Sequence, residues 1–95
     1  MYPDGGSAAR CDPVALPRFV LLHQHTPERC ATAWAAWAGY HSDLRGTQAG
    51  CTCLHGGHLA WWEVDAPDAD TALRMLPPYV AERAHALSMR RVVTP

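Results

Sequence analysis

The chain contains no lysine: its eight basic residues are all arginine, set against nine acidic ones for a formal net charge of −1. So even a balance speaks against nucleic acid or an anionic membrane as partner, because both demand an excess of positive charge. There is no unbroken run of about 18 apolar residues, so no segment is expected to span a membrane. The N-terminal Met1-Tyr2-Pro3-Asp4-Gly5-Gly6-Ser7 lacks the charged and apolar parts of a signal peptide. A cytoplasmic protein is therefore the expectation, and there the four cysteines are thiols rather than bridges. Paired C-x-x-C knuckles, a phosphate loop and a Ser/His/Asp arrangement are also missing. Asp65, Asp68 and Asp70 are acidic neighbours, but turn and capping duties explain them without calcium.

What the chain does have is 48% hydrophobic residues, four tryptophans and six histidines in 95 residues, enough for one domain with a modest core. Its most organised stretch runs from Gly50 to Val64, where two apolar-rich segments meet at Gly56-Gly57. Glycine reaches the positive φ of a tight turn without steric cost, so the spacing predicts a β-hairpin with these two as loop residues. His55 then faces His58, Cys53 faces Ala60 and Cys51 faces Trp62. All six share one face, while Leu54, Leu59, Trp61 and Glu63 lie on the other.

Residues 1–16 carry Gly, Ser, Asp and proline without periodicity and read as a flexible arm holding Cys11; residues 17–95 form the domain. Arg18 to His25 is the first strand. Both its faces are largely apolar, which marks a central strand covered on both sides. Thr26-Pro27-Glu28 is a helix start, with a cap, a proline in the first turn and an acid near the positive end of the dipole. That helix is expected to reach Tyr40 or His41, burying Cys30, Ala33, Trp34 and Trp37 as core residues. A second, shorter helix follows over 68–76, ended by Pro77-Pro78, then a single turn to Arg83. A last strand alternates from His85 to Thr94.

The order is β-α-β-β-α-β. Two right-handed crossovers from such a string give a ferredoxin-like α+β fold, with a four-stranded antiparallel sheet ordered 4-1-3-2 and both helices on one face. The second face, carrying the Trp61-Trp62 region, then calls for a second copy packed sheet to sheet. An RNA-recognition domain shares this topology, but its basic residues and Gly-aromatic pattern are missing. The element string, the double-sided strands, Leu76-Pro77-Pro78-Tyr79-Val80 and the ending Arg90-Arg91-Val92-Val93-Thr94-Pro95 together resemble the dimeric α/β-barrel superfamily over 17–95. That superfamily holds muconolactone-isomerase-like enzymes, small monooxygenases and nickel-binding ferredoxin-like proteins. The resemblance implies a homodimer with a pocket between sheet and helices, and does not by itself choose a chemistry.

Two candidate sites follow. In the hairpin, Cys53, His55 and His58 fall within about 5 to 7 Å of one another, close enough for thiolate and imidazole arms to hold zinc, nickel or copper. The fourth ligand would be water, Cys11 or a residue of the partner copy. Cys51, about 13 Å from His55 along the strand, is out of reach. On the first strand, His23 and His25 point into one space and titrate near neutral pH. With Tyr40, His41 and Arg45 arriving from the helix end they form a candidate small-molecule pocket. Taking the first and third strands as parallel, about 20 Å separates the two clusters. The leading expectation is a homodimer that binds a metal or small ligand through His and Cys. The alternatives are a cofactor-independent isomerase or cyclase using His23 and His25 as acid and base, and an accessory subunit that only associates.

Overall fold

The computed structural model describes residues 16–95. The arm, including Cys11, lies almost wholly outside the described residues.

Strand β1, Arg18–Gln24, alternates cleanly: Phe19, Leu21 and His23 are buried, while Val20 and Leu22 are half-covered. After it the chain makes a 3₁₀ turn, Pro27–Arg29, and the helix α1, Cys30–Ala35. Strand β2 is the two residues Gly50–Cys51, followed by a 3₁₀ turn at Cys53–His55 and strand β3, Leu59–Asp65. Two short helices follow, α2 at Ala69–Leu73 and α3 at Pro78–Ala81, and then strand β4, Ala84–Ser88. The result is an α+β fold with a four-stranded antiparallel sheet in the order β2-β3-β1-β4.

β1 and β3 run antiparallel, with Arg18 opposite Asp65 and His23 opposite Ala60. This overturns the parallel arrangement expected from the sequence. A crossover from β1 to β2 leaves those two strands parallel with β3 between them, so β3 must oppose both. The same end of the sheet thus receives the tail of β1 and the head of β3.

Alternation divides the sheet into two faces. Phe19, Leu21, Ala60, Trp62 and Val64 form the core with Leu44, Ala72, Leu76 and Val80, so the helices and the loop carrying Leu44 cover this face. Each fully buried leucine or valine here contributes about 1.5–3 kcal/mol of apolar transfer. On the other face Val20, Leu22, Leu59 and Trp61 are half-buried and Leu87 is exposed.

Two elements depart from the expected boundaries, and one expected cap is not made. α1 stops at Ala35 because the chain tightens into i→i+3 turns, Trp37 N–H donating to Trp34 O and Tyr40 N–H to Trp37 O, and Gly39 at φ 77° ends the run. Thr26 has the extended backbone of a cap, but its hydroxyl makes no capping bond to the backbone. β4 ends at Ser88, short of Thr94, where its partner β1 begins: Met89 N–H donates to Arg18 O, and among the described residues β1 extends no further to pair with it.

The hairpin is not closed by a two-residue turn. Gly50 opposes Trp61 and Cys51 opposes Ala60, two positions away from the expected register. Thr52 is the reason. Its N–H donates to Leu59 O, its carbonyl accepts from both His55 and Gly57, and its hydroxyl accepts from Leu59 N–H at 3.2 Å. This threonine closes a wider loop, in which Gly56 takes φ 84° and a Cβ on Gly57 would lie 2.2 Å from Thr52 Oγ1. On the open face the Trp61 ring lies over Gly50, where a Cβ would come within 2.2 Å of Trp61 Cε2. Gly50→Ala is therefore expected to cost about 1–3 kcal/mol through overpacking, read as a lower midpoint in chemical denaturation. An unchanged midpoint would mean that the ring swings aside freely.

Candidate metal centre

The antiparallel pairing brings the two expected clusters together. His25 is the next register position after β1, and its N–H donates to His58 O at 3.1 Å, continuing the β1–β3 ladder past its last strand pair. Four residues separate His25 from Cys30, the first residue of α1, and four separate Cys53 from His58 across the hairpin loop. Each stretch thus turns back and presents one imidazole and one thiol at the same corner of the sheet. His58 takes φ 51°, a conformation few side-chain-bearing residues adopt, as the loop rejoins β3.

One ligand atom from each of His25, Cys30, Cys53 and His58 lies within 4.8 Å of all the others. His25 Nε2 is 3.3 Å from His58 Nδ1 and 3.5 Å from Cys53 Sγ. Bonds of about 2.0–2.1 Å to nitrogen and 2.3 Å to sulfur at tetrahedral angles set edges of about 3.3 Å between two nitrogens and 3.6 Å between nitrogen and sulfur. These two spacings match two of the six edges of such a tetrahedron, so the group could hold a metal ion such as zinc.

Electrostatics fit the ligand form of His25. Burial pushes the His23 ring below the usual histidine range, the Val80 carbonyl opposes that, and Arg83 adds to it. His25 is lowered by burial first, then by His23 and His58. Neutral imidazole is the form that binds metals. Burial pushes the Cys53 thiol up, the Trp34 side chain opposes this, and the Cys30 and Cys51 thiols add to it. A cation among the sulfurs reverses that balance and makes thiolate the stable form.

Of the hairpin residues singled out from sequence, Cys53 and His58 belong to this group. His55 does not: its side chain is exposed on the loop. Cys51 is exposed on the edge strand, also outside it. His23 and His25 do share a face, in contact and buried to 1% and 6% exposure. The residues meant to complete a pocket around them lie elsewhere. The Tyr40 hydroxyl donates to Arg74 O, His41 is exposed, and Arg45 lines a cavity of about 340 Å³ with Trp34, Trp37, Leu44 and Trp62.

Helical spacing predicts Cys30 to be a small buried hydrophobe, and the structure instead makes it part of the group. Its local context gives no hint. The signal is the mirrored spacing, His-x4-Cys early and Cys-x4-His later, which acquires meaning only once β1 and β3 are known to run antiparallel.

Fold and site together define a small α+β protein with a His2Cys2 group at one corner of its sheet, and among the described residues no helix is long and apolar enough to cross a membrane. Compared with protein-family models, curated proteins and solved structures, the chain matches none.

Proposed function

We propose that this protein binds one zinc ion through His25 Nε2, His58 Nδ1 and the thiolates of Cys30 and Cys53, and that the ion staples the fold. The observation that carries this is the pair of 3.3 and 3.5 Å spacings from His25 Nε2, which match two edges of a zinc tetrahedron. Two thiolates and two imidazoles at tetrahedral positions favour zinc over nickel(II) or copper(II), which prefer square or tetragonal sites. Four protein ligands leave no open position for a substrate, so the role is structural rather than catalytic.

The wider reading follows the same lines. The observed strand order, β2-β3-β1-β4, reads 4-1-3-2 from the opposite edge and supports the ferredoxin-like arrangement of the dimeric α/β-barrel superfamily. In that reading the face bearing Val20, Leu22, Leu59 and Trp61 packs against a second copy, and the protein works in the cytoplasm with its thiols reduced. The isomerase reading has less to rest on. His23 and His25 bond to each other, and the outward nitrogen of His25 is turned toward a thiol and an imidazole rather than an organic ligand.

The test is elemental analysis by mass spectrometry of protein purified without tag or chelator. About one zinc per chain is expected in the wild type and in His55→Ala, and none in His25→Ala or Cys53→Ser. A wild type without metal, or metal that survives both of the latter changes, sinks the proposal.

A further inference from the structure

His23 has no place among the four ligands, yet it is one of the most deeply buried polar side chains in the described structure. Its Nδ1 lies 3.0 Å from Val80 O, on α3, and its Nε2 lies 3.0 Å from His25 Nδ1.

Proton bookkeeping fixes the direction of this chain. A carbonyl oxygen only accepts, so the proton shared with Val80 sits on His23 Nδ1. A neutral imidazole carries a single N–H, which leaves His23 Nε2 as a lone pair. That lone pair is satisfied only by a donor, so the proton between the rings belongs to His25 Nδ1. His25 is then left with its lone pair on Nε2, the nitrogen that faces Cys53 Sγ and His58 Nδ1. One backbone carbonyl therefore selects, through two rings, which nitrogen is presented to the metal.

Resting on the zinc reading above, we propose that His23 is a positioning residue for the metal centre. It holds His25 in the Nδ1–H tautomer and orients its ring, and by accepting from Nδ1–H makes Nε2 a stronger donor to the ion. An outer partner of this kind typically changes metal affinity by about 10- to 100-fold. A histidine that merely filled the core would have no say in which nitrogen of His25 binds.

The nitrogen is directly readable in protein loaded with cadmium-113. An imidazole bound through Nε2 has both carbon-bound ring protons three bonds from the metal, whereas one bound through Nδ1 has only Hε1 at that distance. Proton–cadmium correlation spectra of the wild type are expected to show both ring protons of His25 coupled, but only Hε1 of His58. His23→Leu, which removes donor and acceptor together, is expected to weaken zinc binding about 10- to 100-fold in competition with a chromophoric chelator. His23→Gln, whose amide can donate to Val80 O and accept from His25, is expected to recover most of it. Coupling to Hε1 of His25 alone overturns the proposal, as does wild-type zinc affinity in His23→Leu. The wild-type spectrum decides the matter even if His23→Leu does not fold. A wild type that takes up neither zinc nor cadmium sinks the metal reading and this proposal with it, whereas uptake with His25 bound through Nδ1 sinks this one alone.

Discussion

Zinc added to chelator-treated protein is expected to raise its melting temperature by about 16 to 33 °C when free zinc stands a thousandfold above its dissociation constant. A ligand that binds only the folded state stabilises it by RT ln(1 + [L]/Kd), about 4.1 kcal/mol at that excess, and each kcal/mol moves the midpoint of a domain of 60–100 residues by about 4–8 °C. Within one chain the folded state brings the complete set together, because His25 and Cys53 are 28 positions apart and meet through the pairing of β1 with β3. Residual binding of zinc to the unfolded chain would reduce the shift. Differential scanning calorimetry with zinc, with magnesium as control, and with zinc on His25→Ala checks the expectation. A shift of the same size in the variant, or with magnesium, would detach the effect from this site.

The second large effect is in the core. Trp62 is 5% exposed, sits opposite Leu21 on β1, and meets Trp37 at 5.5 Å and Trp34 at 6.2 Å between ring centroids, both tilted. It joins α1 and the turn after it to the centre of the sheet. Trp62→Ala is expected to cost about 3–5 kcal/mol, the sum of lost transfer energy and the cavity left behind. Chemical denaturation under saturating zinc measures the loss with metal affinity held out of the comparison. A cost below about 1 kcal/mol would mean that the neighbouring indoles collapse into the space. Trp61, the preceding residue, faces the opposite way over Gly50.

Much of this sheet was legible in the residues. The β-branched and aromatic run from Arg18, apolar on both faces, marks β1 as a central strand, and the proline and glycine punctuation separates an α+β string from which a four-stranded antiparallel sheet follows. Helix length was not legible. Trp34, Trp37 and His41 recur at helical spacing, yet the chain leaves the α-helix after Ala35 because i→i+3 bonds and Gly39 carry it over the core instead. Hairpin register escaped for a different reason. Gly56-Gly57 is the stronger local signal, but Thr52 supplies backbone and hydroxyl bonds to a wider loop, and a side chain's choice of backbone partner leaves no periodic trace.

For the site, residue types were visible while their grouping was not. The hairpin spacing puts Cys53 and His58 together, whereas a parallel β1 and β3 would put His25 at a separate site. Connectivity alone corrects this, since a strand lying between two parallel ones must oppose them. Once that direction is right, His25 and Cys30 fall beside Cys53 and His58. His55 has the right chemistry and lies three residues from His58, but the loop turns it outward.

The mirrored make-up of the centre bears on the route to the native state. Each half of the set holds one imidazole and one thiol, His25 with Cys30 and Cys53 with His58, and each half is local in sequence. Two copies of the same half, taken from two molecules, therefore offer an ion the same four donors as the native pair. On the proposed zinc reading, an ion met after β1 has paired with β3 would close within one chain. Zinc met earlier, in a concentrated solution of unfolded chains, would join them to one another, so on that reading the order in which metal and refolding conditions are supplied would decide between monomeric closure and cross-linked chains.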